Sequence, residues 1–138
     1  MIRRVLVAAA AGLTLAVAPA RAAGVERAPP GGNYEKLADI VAQPAFLPGL
    51  GTLYVDPATL PEGPFLAYDH AGRLVSTIYM VPLKIFETHM RLAGLAVPGG
   101  KVDHVDLYYD AGHPGAEEPH YRIVMWHVTK AEEARVAR

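Results

Sequence analysis

Histidine is the residue type of this 138-residue chain best suited to chemistry, and all six histidines follow residue 69. His104, His113, His120 and His127 fall within residues 104–127, where an even spread beyond the N-terminal segment would place about one. Neutral imidazole with carboxylate is the ordinary donor set for Zn²⁺ and also accepts Cu²⁺, Ni²⁺ or Fe²⁺. On a strand, alternate residues share a face, so His104, Asp106 and Tyr108 project together while Val105, Leu107 and Tyr109 project oppositely. On the following strand His120, Arg122, Val124 and Trp126 share a face. Antiparallel pairing about Pro114 sets Tyr108 near His120 and Asp106 near Arg122, with His113 in the loop at the end of that surface. The expected site is therefore His104, Asp106, His113 and His120, holding a divalent metal, zinc first, or a small polar ligand.

Each of these residues also has a plain structural use. His-x-Asp on an exposed face makes a solvated pair, Asp106 can salt-bridge Arg122, and His127 has the wrong parity for the cluster and suits a satisfied core position beside Trp126. No HExxH motif is present. Other chemistries find less support. The absence of cysteine removes disulfides, thiolate nucleophiles, Fe–S clusters and thiolate zinc sites. Ser76 lacks a nucleophile elbow, Gly49 and Gly51 lack the third glycine and basic residue of a phosphate loop, and Glu117 and Glu118 are adjacent and point apart. Glu87 and His89, two apart, do not share a helix face. No catalytic residue and no organic-cofactor site is assigned.

The elements that must hold such a site read as follows. Asn33 caps a helix carrying Tyr34, Leu37, Ile40 and Val41, which Gln43-Pro44 ends. Residues 52–55 form a strand. Residues 65–68 and 74–80 form a hairpin around Asp69-His70-Ala71-Gly72. Pro82 opens a second helix with a core stripe of Leu83, Phe86, Met90 and Leu92. Residues 102–109 and 121–129 are the longest strands, and 110–119 is their loop. The expected fold is α+β: a β-rich antiparallel sheet or small partly closed barrel with two short helices. A flexible leader over residues 23–32, one globular domain over 33–130 and a frayed tail over 131–138 complete the expected organisation.

Arg3 and Arg4, the apolar run Val5 to Val17 and small residues at A-x-A spacing up to Ala22 read as a secretory signal peptide over residues 1–22. The run is short of the ~20 residues a membrane anchor needs. Removing the segment takes three arginines and no acid, leaving 10 basic against 14 acidic residues. A mildly acidic chain is a poor phosphate-backbone binder, so no nucleic acid partner is expected. Tyr108, Tyr109, Tyr121 and Trp126 exceed what one small core can take, which points to a homo-oligomer.

Pro48 to Pro57, Gly63 to Asp69, Tyr79-Met80-Val81-Pro82 and above all Ala111-Gly112-His113-Pro114 followed by Pro119-His120-Tyr121 resemble a family of small exported bacterial proteins, a domain of unknown function. Its best-known member is a Thermus protein under extracytoplasmic sigma-factor control. The resemblance spans residues 48–128 and implies a β-rich fold, self-assembly and no settled activity. The family pattern continues its PH motif with His and Asp at alternate positions, where this chain has Arg122 and Val124. The expectation is thus a periplasmic or secreted protein whose histidine-rich hairpin binds metal or a small polar ligand; the alternative is a non-catalytic oligomeric or envelope-stress module. Intact-mass measurement of the exported protein should give a chain beginning at Ala23 or Gly24, and Met1 retained in the membrane fraction would contradict the cleavage.

Overall fold

The computed structural model describes residues 24–138. The expected signal segment lies outside the described residues. Six strands form one antiparallel sheet: β1 (Glu35–Lys36), β2 (Thr52–Val55), β3 (Phe65–Tyr68), β4 (Leu74–Pro82), β5 (His104–Asp110) and β6 (His120–Trp126). Their order is β1-β2-β3-β4-β6-β5. The fold is α+β as expected, but the sheet is open, with β1 and β5 at its edges, and does not close into a barrel. Two short helices, α1 (Leu37–Ile40) and α2 (Leu83–Glu87), and two 3₁₀ turns, Pro57–Thr59 and Ala131–Val136, complete it. No helix among the described residues is long and apolar enough to cross a membrane.

The core follows from strand alternation. Leu53, Val55, Phe65, Ala67, Ile78, Val124 and Trp126 face one side and pack with Leu37, Val136 and the partly buried Leu47 and Leu50. Tyr54, Leu66 and Tyr68 face the other side, beneath Val25, Ala28 and Tyr34. Ala67 pairs with Ser76 and Tyr68 with Leu74, so Val75 is an extra residue in β4, and this bulge turns Val75 into the main core. Gly51 (φ +106°) closes the covering loop tightly: a Cβ there would sit 2.3 Å from the Tyr68 carbonyl oxygen.

Four expectations change. The first helix is a single turn, because Glu35 and Lys36 pair with Val55 and Tyr54 at the sheet edge instead of coiling. The second helix ends at Glu87, and Phe86, Met90 and Leu92 are exposed rather than a core stripe. Residues 24–32 are not a free leader: the Tyr68 hydroxyl donates to the Val25 carbonyl (2.7 Å), the Ala28 amide donates to Gly72 (2.9 Å), and Pro30 is buried. Residues 131–138 are not frayed. Their one core residue, Val136, is 1 % exposed, and its carbonyl accepts from the Gly49 amide. A single valine makes no stripe, so periodicity cannot detect it. Val136→Ala should therefore cost about 2 kcal/mol in urea unfolding, whereas a frayed tail would lose less than about 0.5 kcal/mol.

Candidate functional site

The β5–β6 pairing decides which polar residues meet. His120 faces Asp110, Arg122 faces Tyr108, Val124 faces Asp106 and Trp126 faces His104. Relative to the pairing expected from a turn about Pro114, the strands are slid by two residues. A two-residue slide preserves which face each side chain uses, so the shared polar face is as expected. It also puts His104 and His120 six positions apart along the ladder, about 20 Å at about 3.3 Å per residue. The expected four-residue site is therefore split: His113 and His120 lie at one end of the sheet, His104 and Asp106 at the other.

At the first end, Asp110, His113 and His120 each offer a ligand atom, all within 4.8 Å of one another. The loop is built to hold them. His113 and Ala116 exchange backbone hydrogen bonds (3.0 and 2.9 Å) around Pro114-Gly115, with Gly115 at φ +91°, the arrangement of a type II turn. His120 is buried at the start of β6, its side chain 3 % exposed. Its Nδ1 lies 2.9 Å from the Glu118 carbonyl, which can only accept, so Nδ1 carries the proton. In the neutral ring Nε2 then presents a bare lone pair, and this buried atom has no hydrogen-bond partner. Its nearest charged neighbour, Asp110 Oδ2, is 3.9 Å away and already accepts from Arg122 at 2.8 Å. His113 Nδ1 likewise donates to a carbonyl, that of Pro114 (3.1 Å), leaving its Nε2 free, and the two rings meet edge to face at 5.5 Å. Burial raises the Asp110 pKa, but the Gly112 amide (2.9 Å) and the Arg122, His120 and His113 charges outweigh it and hold the carboxyl below its ordinary range. Asp110 is a carboxylate at neutral pH.

A cavity of about 210 Å³ beside His120 is walled by Pro61, Met80 and Pro82 with Gly115, Ala116, Glu117 and Glu118. A more open cleft of about 390 Å³ runs past His113 and Arg122.

The second end uses the same residue types differently. His104, Asp106 and Glu133 also group within 4.8 Å. Here both imidazole nitrogens and one oxygen of each acid already have partners. His104 Nδ1 faces Asp103 (2.7 Å) and Nε2 faces Glu133 (2.5 Å), and its ring stacks on Trp126. The Glu133 hydrogen bond, then that of Asp103, raises the His104 pKa, so the imidazolium is favoured. Asp106 Oδ2 accepts from Trp126 Nε1 and from the Tyr108 hydroxyl, both at 2.9 Å, with Lys130 Nζ at 3.5 Å. These bonds hold its carboxyl below the usual range. This is an ion-pair network that fastens the C-terminal 3₁₀ turn to the edge strand.

His127 is a satisfied histidine: its Nδ1 donates to the Lys101 carbonyl and its Nε2 accepts from the Thr77 hydroxyl, both at 2.8 Å. His89 lies past α2 in left-handed backbone (φ +54°) and is exposed. Asp110 and Glu133 went unrecognised in the sequence. The parity that groups His104, Asp106 and Tyr108 extends to Asp110, which was the usable signal; nothing local marks Glu133.

The class defined here is a small open-sheet α+β domain with a loop-borne group of two histidines and one carboxylate. A family model for TTHB210-like proteins, described by the hypothetical protein TTHB210, matches residues 69–109. The crystal structure of the hypothetical protein TTHB210 from Thermus thermophilus superposes with a TM-score of 0.58 at 45% identity, covering 68% of this chain and 92% of that one. The chain belongs to the TTHB210-like family. No curated protein matches it.

His104 generates a pH dependence. A histidine whose folded pKa is raised stabilises the fold fully below its unfolded value, near 6.5, and loses that contribution as pH rises through the folded value. The thermal midpoint gap between wild type and Glu133→Gln should therefore be largest near about pH 6 and shrink towards about pH 8.5. A constant gap would remove the ionic role of His104.

Proposed function

We propose that this protein binds one divalent metal ion of the zinc class through Asp110, His113 and His120. The observation that carries the reading is the buried, unpartnered Nε2 of His120 beside a carboxylate and a second imidazole. An unsatisfied buried acceptor costs about 1–3 kcal/mol, which a metal ion at that position offsets. In both histidines Nδ1–H is tied to a backbone carbonyl, the outer arrangement that fixes ligating imidazoles with Nε2 towards a metal. Tetrahedral zinc with ligands at about 2.0–2.1 Å needs donors about 3.4 Å apart. The 3.9 Å between His120 Nε2 and Asp110 Oδ2 is about half an ångström from that value. Three protein donors leave a position open to solvent or ligand. In the network at His104, Asp106 and Glu133 both imidazole nitrogens are paired with acids and the acids are engaged by Lys130, Trp126 and Tyr108, and we assign it no metal.

Zinc titration of tag-free, chelator-treated protein should give one site per chain. His120→Ala and Asp110→Asn should each weaken it at least about tenfold. His104→Ala should leave it intact. Affinity should fall as pH drops from about 7.5 to 5.5, because protons compete for the imidazoles. Equal zinc content in wild type and a His113→Ala/His120→Ala double variant would end the reading.

A second reading, self-association, is favoured by one observation. The outward side of β5 and its surroundings leave Val105, Leu107, Tyr109 and Phe86 more than half exposed on one face of the sheet edge. Contiguous exposed apolar surface of this kind marks protein contacts. Light scattering should give a mass above that of one chain, with Leu107→Lys shifting it to the monomer; a monomeric wild type would remove this reading. Export to the periplasm or beyond is part of the proposal and rests on residues 1–22.

A further inference from the structure

Resting on the metal reading above, we infer that the same site recognises a small monocarboxylate with a short apolar body, its carboxylate shared between the ion and Arg122. Of the hollows beside the histidine donors, one lined by His120 and one lined by His113 differ in charge. The one beside His120 carries Glu117 and Glu118, which disfavours an anion. The cleft past His113 carries Arg122 and, among the described residues, no acidic side chain. Its remaining polar group is the Gln43 amide, and its walls include Pro44, Leu47, Leu50 and Pro114.

Arg122 is the residue that selects the ligand class. Its side chain is 20 % exposed on the covered face of the sheet. One of its five N–H groups donates to Asp110 Oδ2 at 2.8 Å, and no other side-chain partner is found for it among the described residues. The guanidinium fork suits carboxylates in particular, since two parallel N–H groups match two oxygens. With the ion bound, one carboxylate of Asp110 faces a dication and a guanidinium, so the local charge stays positive by two. An anion at the open coordination position lowers that excess. The apolar walls then favour carbon atoms behind the carboxylate over a hydroxyl-rich sugar.

Cobalt substitution separates this inference from the reading beneath it, because Co²⁺ occupies zinc-type sites and its visible absorption reports changes in its ligands. The full chain loaded with one equivalent of Co²⁺ would be titrated with sodium hexanoate, sodium acetate and 1-hexanol up to about 10 mM, an affinity range suited to small ligands. The expected result is a saturable spectral change with hexanoate, a weaker one with acetate and none with hexanol. Gln43→Glu, which adds one negative charge to the cleft wall and removes no metal ligand, should leave the cobalt spectrum intact and weaken hexanoate about tenfold or more. Arg122→Lys should weaken hexanoate more than it weakens cobalt. An unchanged spectrum with hexanoate, or a response to hexanol equal to that with hexanoate, would overturn the carboxylate inference while leaving the metal site standing. Failure of the wild type to bind cobalt would overturn both.

Discussion

The pairing of β6 on both of its edges is the constraint on which the rest of the structure depends. β4 and β5 both bond to it in antiparallel register, so every β6 side chain has its face fixed and a one-residue slip would turn all of them over. Val124 and Trp126 go into the core, and the same alternation carries Arg122 and His120 along that covered side. At the far end His120 lies between Pro82 of β4 and Asp110 of β5. Both neighbouring strands finish there, so the ladder gives way to loops whose carbonyls are free to hold a ring nitrogen. A buried imidazole with one proton tied down and one lone pair uncommitted is the result.

The two polar clusters show how little residue type alone decides. Each has histidine and carboxylate at ligating separation. At His104 the ring sits between two carboxylates while a lysine, an indole and a phenol occupy the acids, so charge is neutralised within the protein and the group works as a fastener. At His120 carbonyls occupy the outer nitrogens and one guanidinium occupies the acid. Among the described residues no side chain completes the second group, and that difference separates a candidate binding site from a structural one.

Much of this was legible in the sequence because it depends on short-range rules. Strands 52–55 and 65–68 are short apolar runs bounded by their own turn residues, and the parity of His104, Asp106, His120 and Arg122 survives any even shift of register. The register itself did not. It is set by the Pro114-Gly115 turn together with the pairing of β6 to β4, and β4 is some forty residues away in the chain. Placing the turn one residue early merged two clusters into one. The helices were overread for a similar reason: Glu35 and Lys36 satisfy a helical pattern locally, and an edge strand claims them. Val136 illustrates the opposite limit, since a lone apolar residue has no period to detect.

That lone valine has a consequence for how the protein comes into being. Covering the sheet joins Leu47 and Leu50 to Val136, far later in the sequence, and β5 has no neighbour to bond until β6 follows it. During synthesis, then, the growing chain can form the meander β1 to β4 but cannot complete its core until Val136 is available. Contacts of such long sequence separation form slowly, because loop-closure entropy must be overcome before they contribute. The fold thus has a built-in delay: the core stays open until the 3₁₀ turn Ala131–Val136 has been made.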